Sequence, residues 1–336
     1  MSRKYLKWLL QLGGVILFAI FTLFLAFRMG EIKPGFSDFM DLLQGKDGSV
    51  ELDILRQIRL PRIILGFSIG ASLSLAGTIL QGVYRNPLVE PYTLGISGGA
   101  ALGVALAIVF DLYQWGGTFM LPLSGFAGAL ISLLIVYNIS ISKGKMRIES
   151  MLLIGVMFSY IASSAMMLLL SLISTNDMQS VVFWTMGSLD EPDGKLIQTA
   201  SWIAVSGLVV SYFFVKQMNA MRLGHEKARY LGIDTETSTR VLFIVASVLT
   251  GMSVSVAGVI GFVGLIIPHL MRLMFGSDNR PLLLLSFISG GAFLVLCDSI
   301  ARTIILPNEL PTGVITGIVG GIIFVVVLSR KKTNSV

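Results

Sequence analysis

Arg85-Asn86-Pro87-Leu88-Val89-Glu90-Pro91 interrupts an otherwise apolar stretch, with Ile63–Val83 before it and Tyr92–Phe110 after it. A helix does not run through this segment, because proline lacks the N–H and disfavours helical backbone in the residue before it. If the flanks cross a bilayer, the interruption lies at membrane depth. Non-helical backbone survives there only when buried in protein or beside a water-filled path. The segment is therefore a candidate gate beside a passage.

Composition supports spanning flanks. Of the 336 residues, 54% are hydrophobic and 13% charged, against roughly 25% charged in soluble domains. The chain reads as an all-α polytopic membrane protein. At roughly 20 residues per span there is room for about eight to eleven helices, in one membrane domain covering 1–336. Ten spans are expected: Trp8–Phe27, Ile63–Val83, Thr93–Phe110, Phe119–Ile139, Met151–Ile173, Ile197–Val215, Val241–Ala257, Val259–Phe275, Leu282–Ile300 and Gly313–Leu328. The first follows Arg3, Lys4 and Lys7 and exceeds a signal peptide's apolar region, so it is read as a retained helix.

Basic residues set the orientation. With the N-terminus in the cytoplasm, Arg85, Lys143, Lys145, Arg147, Lys216, Arg222, Lys227, Arg229, Arg240, Arg272, Arg280 and the Arg330-Lys331-Lys332 tail fall inside, while Asp190, Glu191 and Asp193 fall outside. An even number of spans returns the C-terminus to the cytoplasm.

Several chemistries find no residues to carry them. The single Cys297 builds neither a disulfide framework nor a thiolate cage, and His225 and His269 lie far apart without ligand-spaced carboxylates. No metal or cofactor is expected on this chain. A Walker phosphate loop is absent, so any ATP is hydrolysed elsewhere. Asp298 and Arg302 sit at i, i+4 near the outer end and pair on one helix face. No file of carboxylates crosses the membrane, which weighs against an ion-driven secondary transporter.

Two connections admit two readings each. The external segment 28–62 carries both signs and ends in Arg56, Arg59 and Arg62; it is either a mixed solvated loop with a short interfacial helix around Phe36–Leu43 or a docking surface for an acidic partner. The internal segment 216–240 contains a short amphipathic helix with Ala228 and Leu231 on one face and a Gly232 stop. That helix either lies on the inner leaflet or inserts as a knob into a partner. Glycines at four-residue spacing, such as Gly66/Gly70 and Gly99/Gly103, suit close helix packing.

The ordered residues carry a resemblance. Arg59-Leu60-Pro61-Arg62, Gly70-Ala71 through Gly77 to Gln81, Asn86-Pro87-Leu88 with Pro91, and Leu94-Gly95-Ile96-Ser97-Gly98-Gly99-Ala100 come first. Trp184 with Gly187-Ser188-Leu189, Ala228 with Leu231-Gly232, and Gly261-Phe262-Val263-Gly264-Leu265 with Pro268-His269 and Arg272 follow. Asp298 with Ala301-Arg302 and Glu309-Leu310-Pro311 with Gly313 complete the set. Over nearly its whole length the chain resembles the FecCD-type permeases, the membrane subunits of ABC importers for iron-siderophores, haem and cobalamin. The Gly-x-Pro common in that family's last helix is Gly320-Gly321-Ile322 here.

The resemblance implies a type II ABC importer permease fold of ten helices in a bacterial inner membrane, paired with a second copy or a paralogue. It implies two cytoplasmic ATPase subunits, which hold ATP and Mg, and an extracytoplasmic binding protein, with no nucleic acid partner. By the same resemblance Glu226, Ala228, Arg229, Leu231 and Gly232 couple to the ATPase. Asn86, Pro87 and Leu88 form the inner gate, with a second constriction at Glu149 and Ser150. Arg59, Arg62 and Arg302 face outward to the binding protein's carboxylates, and Pro268-His269 is structural.

Overall fold

The computed structural model describes residues 3–30, 50–142, 145–146, 148–191, 193–305 and 308–333. Its α-helices of six or more residues are α1 (Arg3–Arg28), α2 (Leu60–Tyr84), α3 (Ile96–Val109), α4 (Met120–Ser140), α5 (Ile148–Leu170), α6 (Thr175–Thr185) and α7 (Gly194–Phe213). After them come α8 (Val215–Met221), α9 (His225–Tyr230), α10 (Thr235–Ala257), α11 (Val263–Phe275), α12 (Asn279–Ala301) and α13 (Thr312–Thr333). A two-residue hairpin pairs Ile141–Ser142 with Lys145–Met146. Seven helices among the described residues are long and apolar enough to cross a bilayer, and Ile96–Val109, Val263–Phe275 and Thr312–Val327 are shorter apolar helices. These ten correspond one for one with the expected spans. The expected helix around Phe36–Leu43 lies outside the described residues.

Helix α2 is the axis of the molecule. It buries 20 of its 25 residues, as an all-round apolar helix must, against α12, α10, α7 and α11. The Gly70 face meets the Gly290 carbonyl of α12, where any side chain would hold the helices apart. Upstream, a π-helical turn, Leu55–Arg59, joins α2 to Val50–Ile54 in one continuous helix. Arg59 and Arg62 therefore stand on a helix rather than at the end of a loop. Helix α5 contrasts with α2, since only 11% of its apolar window is buried and it exposes Leu153, Met157, Tyr160, Ile161 and Leu168.

Helix α6 was not among the expected elements. Ser174 caps it, accepting the Asp177 N–H at 3.2 Å while its hydroxyl donates to the Asp177 carboxylate at 2.7 Å. The Ser174 hydroxyl thus caps the helix and is itself held by the Asp177 carboxylate.

Helices α3 and α11 have 14 and 13 residues, which at the α-helical rise gives about 20 Å each, short of a hydrocarbon core of about 30 Å. Two stretches outside the α-helices accompany them, 85–95, which holds a single 3-10 turn at Pro91–Leu94, and 258–262, and they satisfy one another. The Tyr92 hydroxyl donates to the Ile260 carbonyl at 3.0 Å and accepts the Ile260 N–H at 3.2 Å. The Glu90 carboxylate accepts the Phe262 N–H at 2.8 Å. Phe262 is held left-handed at φ 68° to begin α11, and Gly95 at φ 82° begins α3.

Candidate functional site

The elbow is built by local chemistry. Arg85 closes α2 in the left-handed region at φ 53°. The Asn86 side-chain oxygen then accepts the Leu88 N–H at 2.9 Å, a turn that Pro87 pre-sets by fixing its own φ. Val89 is buried while Leu88 stands 52% exposed at the tip. A cleft of about 360 Å³ separates Asn86, Leu88, Val89 and Thr93 from Leu152, Leu153 and Val156 of α5. The structure thus brings Asn86 and Leu88 to the first turns of α5, where Ser150 is half-buried. Glu149 belongs to the first turn of α5, with its side chain outside the described residues. Pro87 lines the opposite side, beside Arg85 and Arg272.

Behind the elbow, Pro268 lies inside α11 and leaves the Gly264 carbonyl, four residues earlier, without its helical donor. Gln81 of α2 supplies the donor: its Nε2 lies 3.2 Å from the Gly264 oxygen and 3.1 Å from that of Leu265. Arg272 in turn donates to Gln81 Oε1 at 2.7 Å and to the Thr78 carbonyl at 3.1 Å. A Cβ on Gly77 would run into the Gly264 carbonyl, so glycine there is what allows Gln81 to reach. His269 is buried at 6% exposure beside this junction.

The segment between α8 and α10 carries the short helix α9. Its end satisfies the last carbonyls through a Schellman motif: the Gly232 N–H meets the Arg229 carbonyl at 2.9 Å and the Ile233 N–H meets that of Ala228 at 3.1 Å, with Gly232 at φ 78°. Arg229 Nε donates to the Thr235 hydroxyl at 3.0 Å, and His225 Nε2 lies 3.3 Å from the Val83 carbonyl. Asp234 caps α10, and its bonds from Thr237 hold its carboxyl below the usual range. Ala228 is fully buried, yet Tyr230 is 88% and Leu231 63% exposed. Ala228 and Leu231 do not share a face as expected, because Leu231 falls at the cap and turns outward. Glu226, Lys227 and Arg229 are exposed around this protruding pair.

The opposite end holds an ion-pair cluster. Asp298 of α12 receives Arg62 Nε at 3.1 Å and Nη2 at 2.9 Å, and accepts the Thr312 hydroxyl at 3.0 Å. Arg302 Nε lies 3.1 Å from its second oxygen, in the i, i+4 pair read from the sequence. Arg62 Nη1 also reaches Glu309 at 2.7 Å. Arg59 Nη1 donates to the Phe27 carbonyl at 2.6 Å. The three arginines expected to face outward are in fact 5%, 7% and 8% exposed for Arg59, Arg62 and Arg302. Arg62 and Arg302 share Asp298 and are turned into the helix junction, whereas Glu309 remains half-exposed. In the link between α6 and α7, burial pushes the Glu191 carboxyl up. Among the described residues no group of three or more His, Cys, Asp or Glu side chains could hold a metal ion.

Comparison with known proteins adds to this geometry. Residues 17–330 match the model of the FecCD transport family. The cobalamin import permease BtuC of Halobacterium salinarum is 39% identical over 78% of this chain and 69% of its own. The hemin transport permease HmuU of Yersinia pestis is 32% identical over 91% of each chain. The iron(3+)-hydroxamate import permease FhuG of Bacillus subtilis is 33% identical over 94% of this chain and 95% of its own. Among solved structures, an inward-facing metal-chelate type ABC transporter superposes with a TM-score of 0.83 at 27% identity, covering 96% of this chain and 99% of that one.

Proposed function

The chain belongs to the FecCD transport family, and from that premise we propose that it carries an iron-siderophore complex into the cytoplasm by ATP-driven alternating access, as one permease of a pair. Membership makes it a multi-pass membrane permease of an ABC importer, working with a separate ATPase and a substrate-binding protein. The observation that carries the mechanism is the pairing of the two helix breaks. Because Glu90 and Tyr92 bind the backbone of 260–262, α2, α3 and α11 move together, and Leu88 moves with them as the inner gate, opposed by α5 from Ser150 onward and by Glu149.

The coupling element is α9 and its cap. Tyr230 and Leu231 form the part that enters a groove on the ATPase, and Glu226, Arg229 and Gly232 shape it around the buried Ala228. At the other end, binding-protein carboxylates reach Arg62 by displacing the half-exposed Glu309, with Asp298 retained beneath as the shared counter-ion of Arg62 and Arg302. Arg59 completes that face. Both termini lie in the cytoplasm on the basic-residue bias, ATP and Mg sit on the ATPase, and this chain holds no cofactor.

A hydroxamate permease among the relatives supports the siderophore. Cobalamin is the second reading, favoured by the 39% identity of the archaeal relative. The test is uptake of labelled ferric hydroxamate, haem and cobalamin into proteoliposomes holding the permease, its ATPase and its binding protein. Ferric-hydroxamate uptake that requires ATP and the binding protein is the expected result. Uptake of cobalamin or haem alone overturns the cargo, and uptake that proceeds without ATP overturns the importer mechanism.

A further inference from the structure

On the side of the elbow away from α5 lies a cavity of about 340 Å³, lined by Gln81, Gly82, Arg85, Pro87, Arg222, Arg272, Ser277 and Asn279. Three stretches of chain meet there: the end of α2 with the elbow, the α8–α9 link, and the end of α11 with the start of α12. Three guanidiniums line it and no carboxylate does. Among the described residues none of the three forms an ion pair with an acidic side chain. Arg222 and Arg272 are near enough for their charges to repel. The adjacent Asp278 has one oxygen committed to the Arg280 N–H and to the Asn219 amide.

A cleft that gathers three like charges focuses its field on a counter-ion. We infer that this cavity binds a phosphate group, with Arg85 and Arg222 as its main ligands and Arg272, fixed by Gln81 and Thr78, as the wall behind it. Phosphate is preferred to carboxylate because its three or four oxygens give each guanidinium an acceptor of its own, and arginine's planar fork matches that geometry. Ser277 adds a hydroxyl to the lining. The mouth lies at the end of the bundle that the basic-residue bias makes cytoplasmic. There the phosphate can come from an anionic lipid headgroup or from a soluble ion. Occupancy would bridge the elbow to the link that leads into α9, since Arg85 and Arg222 flank the two. The inference does not depend on the identity of the cargo.

The test uses the purified full-length permease, delipidated in detergent. One arm titrates inorganic phosphate while following thermal unfolding. The other adds phosphatidylglycerol or phosphatidylcholine and counts retained lipid by native mass spectrometry. Each is repeated with the Arg85→Gln/Arg222→Gln pair, which removes two exposed cations and leaves the Arg272 contacts intact. A control pair, Lys216→Gln/Arg240→Gln, removes the same charge from the same end outside the cavity. The expected result is binding weakened at least about tenfold in the first pair and unchanged in the control. Stabilisation by phosphate identifies a soluble anion, and selective retention of phosphatidylglycerol identifies a lipid. Equal weakening in both pairs, or no binding by the unaltered protein in either arm, overturns the inference.

Discussion

Replacing Glu90 with Leu removes the acceptor that holds the Phe262 N–H at 2.8 Å and leaves that donor facing an apolar side chain. A buried N–H without a partner costs about 1–3 kcal/mol. Hydrogen bonds between membrane helices average about 0.6 kcal/mol and reach about 1.7, which places the expected loss in the lower half of that range. Phe262 is also left-handed at φ 68°, a conformation that costs a non-glycine residue of order 1 kcal/mol and persists only where its surroundings impose it. At about 1.4 kcal/mol per decade, a loss of about 1–2 kcal/mol shifts the balance between laced and released elbows by about 5- to 30-fold. Glu90→Gln keeps an acceptor oxygen and should stay within about 0.5 kcal/mol of the parent. The assay is cargo transported per ATP hydrolysed in the reconstituted complex, with thermal unfolding of the permease alongside. Glu90→Leu should lower the ratio several-fold while Glu90→Gln does not. Equal ratios in Glu90→Leu and the parent, at equal stability, would refute the claim that the lacing moves the gate.

Three further outcomes follow from the same geometry. Asp298→Ala leaves Arg62 and Arg302 buried without their shared counter-ion and should cost about 3–5 kcal/mol, read as a large fall in the unfolding temperature in detergent. Tyr230→Glu with Leu231→Glu should abolish co-purification of the ATPase and leave the permease's own stability within about 0.5 kcal/mol, because both side chains are exposed. Gly77→Ala places a methyl against the Gly264 carbonyl and should destabilise by about 1–3 kcal/mol, whereas Gly317→Ala, with nothing within 4 Å of its Cβ, should be silent in the isolated permease.

The spans were legible because length and hydropathy are local properties, and the Pro87–Pro91 bracket marked the elbow without any tertiary information. The i, i+4 pairing of Asp298 with Arg302 was legible for the same reason. Arg62 was not, since its partner Asp298 is 236 residues away, and a charge beside a loop reads as solvated until the fold buries it. Gln81 is a similar case: its task is set by a proline on another helix, and only the contact between α2 and α11 joins the two. The α9 helix was readable, but the direction of Leu231 was not, because the Schellman cap ends the helical periodicity one residue before it. The Ser174/Asp177 capping pair that starts α6 was present in the sequence and was missed beside the stronger apolar run preceding it.

The central claim is that the Leu88 tip is the inner gate and that ATP moves it. Cys297 is buried and its thiol is the only native one in the chain, so Leu88→Cys introduces a single accessible thiol. The measurement is its rate of labelling by a membrane-impermeant maleimide from the ATPase side of the reconstituted complex, without nucleotide and with ATP trapped by vanadate. The account predicts a rate that changes by an order of magnitude or more between the two states. The same rate in both, in a complex that hydrolyses ATP normally, would contradict it.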